Sequence, residues 1–201
     1  QMEMGKKEKN YQEYKKFFDR VKDAQGKKMD EEIKELVIYL NLLGFMTTGS
    51  CYGHLDTGDK APYVYIESEN SEKFNSKLNK VYWEIYEQKE DETIRIKDME
   101  RLTEFCRENR DLLDAAKRDN QTDRHNLKVL LDQFYANRPV DPDEKITVNT
   151  IGLDESLFME NVGRDLQVTR PPKEMAEKLI HYQREFNDFA IFLKNKYNTQ
   201  N

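Results

Sequence analysis

Cysteine is scarce in this chain, with two residues, Cys51 and Cys106, among 201. Two thiols do not make a disulfide framework, so stability must come from a buried core, and the chain is long enough to build one. Proline (five) and glycine (eight) are also few, which excludes collagen-like and low-complexity chains. No apolar run approaches the roughly 20 residues that span a bilayer, and no basic start followed by an apolar stretch marks a secretory signal. The expectation is therefore no membrane association and a reducing, cytoplasmic setting. An excess of positive charge is missing as well. Lys and Arg total 33 against 39 Asp and Glu, a net charge of −6. Extensive nucleic-acid binding rests on cations neutralising phosphates, so the balance argues against it while leaving room for a small nucleotide.

What is present is charge and aromatic surface. Charged residues make up 36% and aromatics 11%, the mark of a folded chain with well-solvated helix faces. Residues 1–9 read as a frayed start, with one domain expected over 10–198. Asn10 to Glu13 has the form of a capping box opening a helix that Gly26 stops. Asp30 is a second N-cap, followed by a stripe of Ile33, Leu36, Val37, Leu40 and Leu43 and a stop at Gly44. Short strands are expected at 45–48 and 62–66, and a further one at 93–96. Helices are expected over 71–87, 98–116 and 127–135, with a polar break at Asp119-Asn120-Gln121-Thr122. Ile146–Ile151 alternates as a strand. Residues 153–168 read as irregular, with a strand at 166–169. Pro171-Pro172 then opens a long final helix. The order lacks strict βαβ alternation, so the fold class is α+β: a mostly helical single domain with a small, largely antiparallel sheet.

Half of the glycines, Gly44, Gly49, Gly53 and Gly58, fall within fifteen positions that also hold Cys51 and His54. The core of this window is Thr48-Gly49-Ser50-Cys51-Tyr52-Gly53-His54. Glycines permit a tight loop whose consecutive amides could hold an anion, with hydroxyls from Thr48 and Ser50 beside them. His54 could activate Cys51 as a nucleophile, oriented by Asp56, so Cys51 and His54 are the catalytic candidates. Tyr63 and Tyr65 share one strand face and could wall a pocket, and Arg164 could add charge to it, with Arg170 and the start of the last helix as a further anion site. A purely structural turn is the alternative. Structural zinc needs about four ligands and no second Cys/His pair accompanies Cys51 and His54, so no metal site is read. The loop is not a P-loop, since it lacks Gly-Lys-Ser/Thr and leads into a strand. No residue pattern names a cofactor.

The Thr-Gly-Ser-Cys-x-Gly-His stretch resembles a motif of uncharacterised bacterial and mobile-element proteins, a resemblance that carries no activity with it. It is similar over fewer than ten residues to the Ser-x-Cys-x-Gly-Arg motif of the wybutosine-synthesis methyltransferases, which would imply action on tRNA. Here Ser50 is adjacent to Cys51, and His54 stands where that motif has a permanently charged arginine.

Two functions follow as expectations. One is a small anionic-ligand pocket, for a nucleotide or similar molecule, formed by Thr48, Gly49, Ser50, Cys51, Gly53, His54, Asp56, Tyr63 and Arg164. The other is a non-catalytic helical interaction module, forming a homodimer or binding a partner helix through 172–197. The stripe of Met175, Leu179, Tyr182, Phe186, Phe189 and Leu193 motivates it. Trp83 is expected in the core or at an interface, Cys106 in the core, and His125 and His181 in solvent.

Overall fold

The computed structural model describes residues 6–23, 25–56, 58–86 and 96–200. Helices α1 (Lys6–Phe18) and α2 (Glu31–Leu42) lead into strands β1 (Thr47–Cys51) and β2 (Tyr63–Ile66). Helices α3 (Glu69–Tyr86), α4 (Ile96–Glu108) and α5 (Arg110–Tyr135) follow, then the hairpin β3 (Ile146–Ile151) and β4 (Ser156–Asn161), and the long α6 (Pro172–Thr199). The four strands form one antiparallel sheet in the order β1-β2-β4-β3. The expected class, mostly helical α+β with a small antiparallel sheet, is what the chain adopts. No helix among the described residues is long and apolar enough to cross a membrane.

Alternation along the strands sorts the sheet into two faces. Val64, Ile66, Leu157 and Met159 point to the core, where they meet Leu36, Val37 and Leu40 of α2 and Phe186, Phe189 and Leu193 of α6. The opposite face carries Tyr63, Tyr65 and Phe158, with ring centroids 4.7–5.5 Å apart. A second, smaller cluster of Phe74, Leu78 and Phe105 holds α3, α4 and α5 together, with half-buried Cys106 packed against it.

Several boundaries differ from the sequence expectation. Helix α1 starts at Lys6, so residues 6–9 are helical and Asn10 lies inside the helix rather than capping it. It ends at Phe18, and Gly26 (φ +80°) instead serves a turn in the next connection, where Lys22 and Lys28 pair as an isolated antiparallel bridge. Helix α3 starts at Glu69, and the Ser68 hydroxyl caps it by accepting from the Ser71 amide at 3.1 Å. The strand expected at 93–96 lies outside the described residues except for Ile96, which opens α4. The segment 153–168, expected to be mostly irregular, contains β4, and 164–169 is a 3-10 turn rather than a strand. Trp83 is 67% exposed rather than packed.

The polar run at 119–122 does not break a helix. It lies within α5, and Asn120 is 1% exposed. Its carboxamide oxygen accepts from the Ser68 amide (3.2 Å), and its nitrogen donates to Ser71 Oγ (2.6 Å) and to the Asp154 carbonyl (2.8 Å). One side chain thus joins the cap of α3 to the β3–β4 turn. The stripe of α6 read as a partner surface is buried within the chain: Leu179, Tyr182, Phe186, Phe189 and Leu193 are all core. The apolar side chains α6 does expose, Ile180 and Ile191, do not form a stripe.

Asn120→Ala should lower the unfolding free energy by about 2–4 kcal/mol, because several buried partners lose their bonds together; urea denaturation at neutral pH measures this. A second effect concerns Asp123, half-buried on α5 one turn from Asp119. Burial, then the Asp119 charge, pushes its carboxyl from 3.8 up to about 6. A raised folded-state pKa gives stability that is present below about pH 4 and lost as pH rises through about 6. Asp123→Asn should remove that decline and, with solvent screening discounted, stabilise the protein by about 1 kcal/mol at pH 7. Chemical denaturation between about pH 4 and 7 checks the sign.

Candidate functional site

The loop from 52 to 62 connects β1 to β2 at the edge of the sheet. Gly53 is buried with φ +89°, and a Cβ there would sit 3.0 Å from the Ala61 carbonyl carbon and 3.1 Å from Pro62 N. The chain therefore folds back on itself at this point, and only glycine fits. The return is locked by the His54 amide donating to the Asp59 carbonyl at 2.7 Å. Gln183 of α6 donates to the carbonyls of Tyr52 (3.2 Å) and Gly53 (3.3 Å), and Asn187 donates to the Tyr52 hydroxyl (2.9 Å).

The amides expected to cradle an anion are spent within the protein. Tyr52 N donates to Asp30 Oδ2 (2.9 Å), Gly53 N to Cys51 Sγ (3.3 Å) and His54 N to Asp59. The loop 52–54 is thus not an anion nest. Asp56, expected to orient His54, is exposed. The partner of His54 is Asp30, with Nε2 3.0 Å from Oδ2. Asp30 occupies the N-cap position of α2 but makes no side-chain capping bond, because its carboxylate faces the loop instead. Burial works to raise its pKa, but the Tyr52 amide and His54 outweigh it and hold the carboxyl below its ordinary range.

Asp30 is the residue that sequence reasoning missed. Its N-cap role accounted for it fully, and it lies 24 positions from His54. Asp30, Cys51 and His54 present one donor atom each, all within 4.8 Å of one another. Burial pushes the Cys51 thiol up, the Gly53 amide acting in the opposite direction. The thiol is therefore the neutral-pH form, which is the wrong state for an activated nucleophile.

Beside this cluster runs a groove of about 580 Å³ between β1 and the connection from α1 to α2. Thr48, Gly49, Ser50, Cys51 and Tyr63 line it, whereas Gly53, His54, Asp56 and Arg164 do not. From the other side come Phe17, Met29 and three lysines, Lys22, Lys27 and Lys28. Lys27 approaches Asp30 at 3.7 Å; Lys22 and Lys28 make no ion pair among the described residues. Of the groove's acids, Asp23 is tied by the amides of Gln25 and Lys27, and Asp30 by the loop, leaving Glu72. The Ser50 hydroxyl is buried and makes no hydrogen bond to the described residues. The lysines were not singled out from sequence because they sit in an ordinary mixed-charge stretch and become neighbours of β1 only through the turn at Gly26.

Arg164 is committed elsewhere. It pairs with Asp59 and with Glu160 (3.4 Å), and its guanidinium lies 5.0 Å from the rings of both Tyr63 and Phe158. Arg170 likewise pairs with Asp143 (2.9 Å) and Glu174 (3.3 Å) and donates to the Tyr182 hydroxyl (3.0 Å). Both guanidinium charges are thus paired, and the Nη1 of Arg164 is buried with no hydrogen-bond partner among the described residues. Gly163, just before Arg164, has an ordinary φ of −87° and is required because a Cβ would collide with Tyr182 and Asp143. His125 is exposed, but His181 Nδ1 lies 2.7 Å from buried Glu144.

No protein-family model, curated protein or solved structure matches the chain.

Gly53→Ala should destabilise the protein by about 2–3 kcal/mol, from the left-handed backbone and the contact with 61–62 together. Gly58→Ala, at φ +58° with nothing near its would-be Cβ, should cost only about 1 kcal/mol. Thermal unfolding of the two variants side by side separates the effects.

Proposed function

We propose that the groove along β1 binds a small phosphorylated ligand of nucleotide size. The observation that carries this reading is the placement of Lys22, Lys27 and Lys28 across from Thr48, Gly49 and Ser50. Two of these lysines have no ion partner among the described residues, and the Ser50 hydroxyl beside them is buried with no hydrogen-bond partner there. Lysines act as point charges toward phosphate, and a hydroxyl beside them supplies direction. Phe17 and Tyr63 give the groove apolar surface on which a flat ring can rest. The volume is in the range of small-molecule sites, about 300–1,000 Å³. The site departs from the loop-centred pocket that the sequence suggested: its anion-binding charge comes from the 22–28 turn, and of the loop residues only those of β1 take part.

Inorganic phosphate and a panel of nucleoside mono- and diphosphates should raise the melting temperature, by an amount that grows with ligand concentration and shrinks with added salt. In Lys22→Ala/Lys28→Ala, affinity should fall by about tenfold or more, as expected when two charge-assisted contacts are lost. No stabilisation by any of these compounds, or equal stabilisation of the double variant, would refute the reading.

A further inference from the structure

We infer that Asp30, Cys51 and His54 form a three-donor site for a zinc-class divalent cation, with the fourth coordination position open toward the groove. The three donor atoms lie within 4.8 Å of one another. Tetrahedral zinc with N and O donors near 2.0–2.1 Å and sulfur near 2.3 Å sets donor-to-donor edges of about 3.3–3.6 Å. The His54–Asp30 edge, at 3.0 Å, is already close to that, so a cation requires only side-chain adjustments. Thiolate, imidazole and carboxylate together suit zinc rather than magnesium or calcium, which take all-oxygen sets. Three protein donors with one open position is the arrangement of zinc sites that exchange a ligand, not of sealed structural ones.

Two of the three donors have supporting contacts of the kind such a site uses. The Tyr52 amide orients the Asp30 carboxylate, and the Gly53 amide points at the Cys51 sulfur. The fold-back at Gly53 sets Cys51 and His54 on the same side. Asp30 and Cys51 both line the groove, so the open position faces it, and water or an anionic oxygen would complete the sphere. Binding replaces the thiol proton by the metal and releases that proton to solvent. The other group with suitable spacing among the described residues, Asp141, Asp143 and Glu144, is different. Its carboxylates already meet Lys178, Arg170 and His181.

The inference stands on the three donor atoms and does not require the groove to bind phosphate. Co²⁺ alone, titrated into the metal-stripped full chain, tests it. The expected result is one equivalent bound, with the intense visible absorption of tetrahedral cobalt, a sulfur-to-cobalt charge-transfer band, and displacement by Zn²⁺. Cys51→Ser should abolish the charge-transfer band. Asp30→Asn, which keeps an acceptor for the Tyr52 amide, and His54→Ala should each weaken binding by about tenfold or more. Cys106→Ser should change nothing. Absence of tetrahedral absorption in the wild-type protein, or an unchanged charge-transfer band in Cys51→Ser, would overturn the site whether or not any variant folds.

Discussion

The carboxylate of Asp30 stands at the start of a helix and leaves that helix without its side-chain cap. The forgone cap typically costs about 1 kcal/mol. In return, one oxygen takes the Tyr52 amide and the His54 ring, fixing the turn after β1 to the first helical layer. Without that link the loop would still be pinned at Gly53 and by Gln183, but its histidine would have no bearing on the helix. The juxtaposition of thiol, imidazole and carboxylate, and the way the groove closes beside them, all depend on this one group facing away from its own helix.

Polar bonds do comparable work elsewhere. Asn120 ties α5 to the cap of α3 and to the β3–β4 turn. Arg138 holds the fully buried Glu185 and also reaches Asp188. Such groups contribute specificity of arrangement as much as stability, since a slipped helix would leave each of them buried and unpaired. The apolar core joins sheet, α2 and α6; these networks set where the other helices end and meet.

Much of this was readable from residues alone. The alternation of Ile-Thr-Val-Asn-Thr-Ile marks β3, Pro172 marks the start of α6, and Asp30 and Gly44 bracket α2. What was not readable has identifiable causes. In β4, Leu157, Phe158 and Met159 are all apolar because the strand is flanked on both sides and carries an aromatic on its outer face, so no alternation shows. The run at 119–122 resembled a loop by composition, yet it contains no glycine or proline, and its polar side chain was needed inside. That Cys51 and His54 meet at one tight turn could be inferred from their crowding with glycine. The lysines at 22–28 and the carboxylate at 30 could not, because their relation to β1 exists only in three dimensions. The charge of Arg164 is taken up by Glu160, four positions before it, and by Asp59, the latter a pairing across 105 positions that no local pattern announces.

Strand β1 is also an outermost member of its sheet, with no strand beyond it among the described residues. An unpaired strand margin is an invitation for another polypeptide to add itself by backbone pairing. Here Lys22, Lys27 and Lys28 line the same groove as β1, and a chain joining beside them would have to displace or desolvate them. The bulge between Thr47 and Gly49 further spoils the regular spacing such an intruder would need. The same local architecture therefore disfavours the addition of a further strand at this margin, and neutralising those lysines would be felt in solubility.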